Sequence, residues 1–184
     1  GDEPYMLAKS LKDVPVIVDK DRVRAAVHAV TQLGCDILLL DDGMQYLDLR
    51  HRLEIVLIDR TAPFGNEYLL PRGTLREPPS NLRRASYIFI TKADGADLTK
   101  LKERIRRHNR TAEIIECAHR SLHLQNLYDE NDRQPLTFLQ GKYIGALSGI
   151  ASPEGFEQSL VRLGSKLPIT KRFADPQRFT SQEL

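Results

Sequence analysis

The sequence predicts an α/β fold of three layers, in which a mainly parallel sheet carries helices on both faces. Two observations support this prediction. Short runs of β-branched and other apolar residues alternate along the 184-residue chain with segments of helical periodicity, which is typical of parallel sheets with crossover helices. Some of the runs, such as 37–40 and 55–58, are apolar at every position, as expected of strands that are covered on both sides.

Strands and helices alternate for most of the chain. A helix is predicted after Asp21, which can cap its first turn, and Gly34 is predicted to end it. Further helices are predicted at about 97–107 and over 154–163, where Pro153 suits the first turn. Strands are predicted at 14–18, 35–40, 54–58, 86–90, 113–117, 143–147 and 169–173.

The domain organisation follows from this order of elements. We expect residues 1–164 to form one core α/β domain and residues 165–184 to begin a C-terminal strand and helix segment. An α/β domain seldom begins beside functional residues or stops where a helix would start. We therefore expect the sequence to be a truncated part of a longer protein.

Composition excludes several classes of protein. A formal net charge of +2 is too small for a nucleic-acid-binding surface, which needs a concentrated basic stripe. The sequence has no run of about 18 apolar residues, so no transmembrane helix is expected. Cys35 and Cys117 match no metal-binding spacing and are too few for a disulfide framework, which favours a reducing compartment.

Two carboxylates directly follow the apolar run 37–40. In open α/β sheets, ligands bind beyond the carboxyl ends of the strands, and Asp41 and Asp42 can hold Mg²⁺ or its water ligands there. Acids also cap strands and helices, so capping is the alternative interpretation. Gly43 then permits tight packing or a positive φ angle.

A second motif follows the strand predicted at 86–90. Thr91-Lys92-Ala93-Asp94 resembles the [NT]KxD element with which GTP-binding proteins read guanine, and a turn at the start of the next helix is the alternative. A phosphate-binding loop of the form GxxxxGK[ST] is absent from the sequence. The nearest candidate, residues 145–149, lacks the lysine.

A long Gly- and Pro-rich connection, residues 63–78, shows no clear periodicity. Loops of this length in a compact domain are usually functional or disordered, and the apolar residues of this one argue against disorder. Arg76 and Glu77 can pair with each other or hold a phosphorylated or polyhydroxylated ligand, because guanidinium suits bidentate contact with phosphate.

Four segments, in this order, resemble those of the tetraacyldisaccharide 4′-kinase family. They are Gly-Asp-Glu-Pro (1–4), Asp-Asp-Gly-Met-Gln (41–45), Pro-Phe-Gly-Asn through Leu-Leu-Pro (63–71) and Leu-Arg-Glu-Pro (75–78). The resemblance implies a P-loop NTPase-like kinase. Such an enzyme transfers the γ-phosphoryl group of ATP, with Mg²⁺, to the 4′-hydroxyl of a tetraacylated glucosamine disaccharide 1-phosphate in lipid A biosynthesis.

The resemblance also implies where the enzyme works and with what. It implies a peripheral protein at the cytoplasmic face of the bacterial inner membrane, attached through a hydrophobic N-terminal helix that we do not find in this sequence. The implied partners are the lipid A precursor disaccharide, ATP and the membrane surface, and no nucleic acid is expected.

Individual residues acquire roles from the same resemblance. Asp2 matches the acid that activates the 4′-hydroxyl, and Arg76 is expected either to neutralise the transferring group or to hold the phosphate of the sugar lipid. Asp41 and Asp42 match the acids near Mg²⁺. The residues expected to contact substrate are Asn66, Arg76, Glu77 and Gln45.

The sequence departs from the family pattern in three ways. The phosphate loop is missing, Asp175-Pro176-Gln177 stands where the family usually has Asp-His-His, and Arg72 and Thr74 stand where Ala and Pro are more frequent. Because the phosphate loop is missing and the family histidine assists the catalytic acid, we expect the chain by itself to be an incomplete, inactive fragment. A GTP-binding regulatory domain and a degenerate, non-catalytic relative are the alternative interpretations.

Overall fold

The computed structural model describes residues 2–129 and 131–173, with only the backbone at Asp2. These residues form two compact units that divide between His119 and Arg120. All the residues expected to act on ATP, Mg²⁺ or the acceptor belong to the first unit. The motif at 175–177 lies outside the described residues.

Two helices open the first unit, α1 (Asp2–Ser10) and α2 (Arg22–Leu33). At the start of α2, the side chain of Asp21 accepts a hydrogen bond of 3.0 Å from the backbone N–H of Arg24. At its end, Gly34 adopts a φ of 66° and donates its N–H back into the last turn. Glycine enters this left-handed region without steric cost, so both predicted ends of the helix are confirmed.

Three parallel strands form the sheet of the first unit, in the order β1 (Ile55–Asp59), β2 (Tyr87–Thr91) and β3 (Glu113–Glu116). The helix α3 (Thr99–His108) connects β2 to β3. Parallel neighbours need such a crossover connection. These three strands and this helix confirm the elements predicted from the apolar runs and their spacing.

The core of the first unit lies around β2 and α3. Ile88 on β2 and Ile105 on α3 are fully buried. They share one apolar cluster with Phe64 from the Gly- and Pro-rich connection and Leu82 from a short 3-10 helix, Pro79–Arg84. The connection is therefore anchored to the core at Phe64.

The burial of Ile88 gives a direct test of this core. Ile88→Ala is expected to lower the free energy of unfolding of the chain by about 2–5 kcal/mol, because it removes buried methyl groups and leaves a cavity. Leu57→Ala, on the neighbouring strand at a side chain that is 68% exposed, is the matched control and should stay within about 0.5 kcal/mol. Urea denaturation followed by circular dichroism measures both; equal losses would contradict this core.

The predictions of strands at 14–18 and 35–40 are wrong, because neither segment forms a strand in the structure. A strand requires a hydrogen-bonded neighbour, and neither segment pairs with another within residues 2–129 and 131–173. Ile37 is 80% exposed and Leu39 is 91% exposed. The apolar run 37–40 is therefore exposed, although its composition predicted a strand that is covered on both sides.

The second unit contains a parallel strand pair joined by a helix. β6 (Tyr143–Ser148) leads through α4 (Pro153–Arg162) to β7 (Lys166–Arg172). The two predicted strands and the helix are confirmed. The domain boundary predicted at residue 164 falls between α4 and β7, inside one unit, because β7 pairs with β6.

The remaining regular structure of this unit is small. β4 (Leu124–Gln125) and β5 (Arg133–Gln134) form an antiparallel pair, and a 3-10 helix follows at Leu136–Leu139. Every other strand pairing described above is parallel. The prediction of an α/β fold with mainly parallel strands is therefore confirmed.

Candidate active site

The two predicted metal-binding acids lie in a turn, residues 41–45, which we call the acid loop. Asp42 has a φ of 50°, a left-handed conformation that few residues other than glycine adopt. A Cβ atom on Gly43 would lie 2.9 Å from Cβ of Leu40, so a larger residue would have to displace Leu40. The loop is thus a tight backbone turn that presents two carboxylates.

Asp42 is held by two arginines. Nη1 of Arg76 donates to Oδ2 of Asp42 at 3.1 Å, and Nη1 of Arg22 donates to the Asp42 carbonyl at 2.9 Å. The side chains of Asp42 and Arg76 are 64% and 57% exposed. An exposed ion pair is worth at most about 1 kcal/mol, so a charged ligand can displace either partner.

A second contact joins the acid loop to the Gly- and Pro-rich connection through Glu77. Its carboxylate accepts hydrogen bonds from Nε2 of Gln45 at 3.0 Å, from Nδ2 of Asn81, and from Nη2 of Arg84 at 2.9 Å. The bond from Arg84, assisted by those from Asn81 and Gln45, outweighs partial burial and lowers the pKa of Glu77 to about 2. Glu77 is therefore ionised at neutral pH.

The Gly- and Pro-rich connection is ordered by its own backbone. Nδ2 of Asn66 donates to the Arg72 carbonyl at 3.2 Å, and Leu69 bridges to Leu75. A Cβ atom on Gly73 would lie 2.1 Å from the Tyr68 carbonyl oxygen, which excludes any other residue. The side chain of Asn66 thus closes the loop in which it lies.

The structure brings together four of the predicted site residues: Asp42 with Arg76 and Gln45 with Glu77. Asp41 neighbours them in sequence and is exposed. Asn66 contacts its own loop rather than these four among the described residues. Asp2 begins α1, and its side chain is outside the described residues, so its role stays a prediction.

The Thr91–Asp94 motif begins at the last residue of β2, and the side chain of its lysine is paired. Nζ of Lys92 donates to Oδ2 of Asp59 at the end of β1, at 2.6 Å. Although burial opposes ionisation, hydrogen bonds from Lys92 and Thr61 lower the pKa of Asp59 to about 2. Lys92 therefore links the carboxyl ends of β1 and β2 through this ion pair. A lysine that reads guanine would instead face the guanine base.

Three residues that contact this site were missed by the sequence analysis: Arg22, Asn81 and Arg84. A signal for two of them was present, because Glu77, Asn81 and Arg84 are spaced four and three residues apart, as on one face of a helical turn. Arg22 carried no such signal. It reaches Asp42 only through the fold.

The bonds of Glu77 predict a pH dependence of stability. A carboxylate whose pKa falls from 4.5 to about 2 on folding contributes stability above pH 4.5 that is lost as the pH falls towards 2. Wild type is therefore expected to exceed Glu77→Gln by about 1–2 kcal/mol in unfolding free energy near neutral pH, and the difference should shrink below about pH 4.

Urea denaturation at several pH values measures this difference. Glu103→Gln, which removes a carboxylate from the exposed side of α3, is the charge-matched control. A wild-type advantage over Glu77→Gln that stays constant down to about pH 3 would contradict the hydrogen-bonded carboxylate.

A comparison with protein families decides the class of the chain. The family model described as LpxK, tetraacyldisaccharide-1-P 4′-kinase, matches residues 1–184. The chain belongs to this family. The LpxK match favours the kinase interpretation over a GTP-binding regulatory domain.

Curated relatives agree with the LpxK assignment. The chain is 40% identical to the tetraacyldisaccharide 4′-kinase of Elusimicrobium minutum and 41% identical to that of Anaeromyxobacter dehalogenans strain 2CP-C. Each alignment covers 100% of this chain and 50% or 49% of the relative. The chain thus spans about half the length of these LpxK proteins.

A solved LpxK structure shares the fold. The crystal structure of the "apo" form of LpxK from Aquifex aeolicus in complex with ATP superposes with a TM-score of 0.67 at 27% identity, over 100% of this chain and 55% of that one.

Among the helices that our structure describes, none has the length and apolar character needed to cross a membrane.

Proposed function

We propose that this sequence is the part of a tetraacyldisaccharide 4′-kinase that supplies the acid loop and the acceptor side of the active site. The complete enzyme transfers the γ-phosphoryl group of ATP to the 4′-hydroxyl of a tetraacylated glucosamine disaccharide 1-phosphate. The observation that carries the proposal is the 3.1 Å contact between Asp42 and Arg76. It joins an acid, the kind of group that can hold Mg²⁺, to an arginine, the kind of group that can neutralise charge on phosphate, and both recur in phosphoryl-transfer sites.

The acid loop has the donor chemistry that Mg²⁺ prefers. Mg²⁺ is usually bound through one or two carboxylates together with substrate phosphates and water, and Asp41 and Asp42 offer two exposed carboxylates on adjacent residues. The residues described contain no cluster of three or more acidic, histidine or cysteine ligands, which agrees with a shared rather than all-protein site. When bound, Mg²⁺ would neutralise charge on the phosphates.

In the proposed reaction, the remaining side chains bind the acceptor, accept its proton or neutralise charge. The 4′-hydroxyl oxygen attacks the γ-phosphorus, the bond from that phosphorus to the oxygen of ADP breaks, and Asp2 accepts the hydroxyl proton. Arg76 neutralises charge on the transferring group. The substrate contact predicted for Asn66 stays a prediction, because both ends of its side-chain amide are engaged within its own loop. The predicted substrate contacts of Gln45 and Glu77 stay predictions.

The lipid acceptor implies a membrane setting for the complete protein. We propose that it acts as a peripheral protein at the cytoplasmic face of the inner membrane, where a tetraacylated disaccharide would be held by its acyl chains. A net charge of +2 gives no reason to add nucleic acid to the partners.

A direct assay tests the proposal. The full-length gene product is incubated with Mg²⁺, radiolabelled ATP and tetraacyldisaccharide 1-phosphate in detergent micelles, and labelled lipid is resolved by thin-layer chromatography. We expect label in the lipid, and none when the acceptor is omitted. Label from GTP but not from ATP would favour the GTP-binding alternative, and no label from either would favour a non-catalytic relative.

A further inference from the structure

We propose that Arg84, which matches none of the motifs identified in the sequence, is a positioning residue that fixes the acid loop for its work on phosphate and metal. This inference rests on the proposed function. Arg84 touches neither Asp41 nor Asp42 in the structure; it acts on the loop through Met44 and Glu77.

The first connection is to the backbone of the acid loop. Nη2 of Arg84 donates to the carbonyl oxygen of Met44 at 3.0 Å. Met44 lies two residues after Asp42 and one after Gly43, whose backbone carbonyl accepts the N–H of Tyr46 at 2.8 Å. Because the guanidinium of Arg84 binds the Met44 carbonyl, it holds the part of the turn that follows the two acids.

The second connection passes through Glu77. Nη2 of Arg84 lies 2.9 Å from Oε1 and 2.8 Å from Oε2 of the carboxylate. Oε1 also accepts from Gln45 at 3.0 Å. Arg84 thus grips two neighbouring residues of the acid loop: the Met44 backbone directly and the Gln45 side chain through Glu77.

The carboxylate of Glu77 has little capacity left for a ligand. A carboxylate accepts at about four lone-pair sites, and hydrogen bonds from Gln45, Asn81 and Arg84 occupy three of them. Glu77 is therefore occupied in joining two loops, and its ionised state is maintained by the guanidinium beside it.

The chemistry of this position favours arginine over lysine. The side chains of Arg84 and Glu77 are only 27% and 20% exposed, so their charges are poorly screened and each needs its partner. A single nitrogen of Arg84, Nη2, donates to both the Glu77 carboxylate and the Met44 carbonyl. The planar guanidinium fixes the directions of its N–H groups, whereas an ammonium is a single point on a flexible stem. Asp42 meanwhile holds a φ of 50°, a conformation that persists only when its surroundings enforce it.

The test compares three variants: Arg84→Met, Arg84→Lys and the control Arg83→Met. Arg83 is the exposed neighbour of Arg84 in the same 3-10 helix. The first readout is hydrogen exchange of the Tyr46 amide in the metal-free chain, followed by NMR. The second is kcat, the KM for ATP and the Mg²⁺ concentration for half-maximal activity of the full-length gene product.

We expect Arg84→Met to speed exchange of the Tyr46 amide by about tenfold, since the turn opens more often. It should lower kcat or raise the half-maximal Mg²⁺ concentration by about 10- to 100-fold, as loss of an outer-shell partner does. The KM for ATP should change by less than about threefold. Arg84→Lys should recover part of the loss, and Arg83→Met should match wild type in both readouts.

Wild-type exchange at Tyr46 together with wild-type kinetics in Arg84→Met would overturn the proposal. If Arg84→Met fails to fold, Glu77→Gln replaces it; faster Tyr46 exchange then supports the proposal and unchanged exchange refutes it. A wild-type protein without kinase activity would refute the proposed function alone, because the exchange measurement needs neither ATP nor acceptor and still decides whether Arg84 holds the loop.

Discussion

Arg76→Met in the full-length gene product is expected to lower kcat by roughly 10³-fold or more, since an arginine that neutralises the transition state of phosphoryl transfer is worth about 10³ to 10⁵ in rate. Methionine keeps an unbranched apolar stem and loses the charge. The side chain of Arg76 is 57% exposed, so little packing is removed. Steady-state kinetics should show a much smaller change in the KM for ATP, as expected when an interaction acts on the transition state.

Arg72→Met is the matched control for this prediction. Arg72 lies in the same loop and stacks over the ring of Tyr68 at 3.8 Å, and it makes no contact with the acid loop among the described residues. Its kcat should stay close to that of wild type. Equal losses in both variants would indicate that loop packing matters rather than charge, and a normal kcat in Arg76→Met would refute the assignment.

Asp2→Ala is expected to lower kcat by roughly 10²- to 10⁴-fold, the range that a general base contributes. The affinity for ATP should be nearly unchanged, because the proton in question belongs to the acceptor hydroxyl. Single-turnover kinetics and calorimetric titration of ATP measure the two quantities separately in the full-length gene product.

Glu3→Gln controls for the loss of a carboxylate beside Asp2, because Glu3 is the next residue of α1 and is exposed. It should turn over like wild type. If Asp2→Ala also turned over normally, Asp2 would not be the base. If both variants lost activity equally, the helix rather than one carboxylate would be responsible.

Much of the fold could be predicted because its signals are local. Asp21 and Gly34 form the two ends of α2 through hydrogen bonds to residues a few positions away. The runs that form β1, β2 and β3 are apolar at the positions that enter the core. The run 37–40 is equally apolar, and it forms no strand because pairing depends on a neighbour and not on composition. Periodicity reports which residues favour burial; it does not supply the partner.

The candidate site was predictable only in part, for a similar reason. The residue motifs singled out Asp42, Arg76 and Glu77, the family resemblance added Gln45, and the structure brings these four together in pairs. Arg22 meets Asp42 from 20 residues away in sequence. A contact of this kind leaves no periodic trace in the chain, so it emerges only with three-dimensional structure.

The outer side of β1 has a practical consequence for work with this chain. β1 is the first strand of its sheet, with no neighbour beyond it among the described residues, and it carries Ile55 and Leu57 at 52% and 68% exposure. An open backbone edge flanked by apolar side chains is a template for intermolecular pairing. Dilute samples and a check by light scattering will therefore matter more for reversible unfolding data than the choice of denaturant.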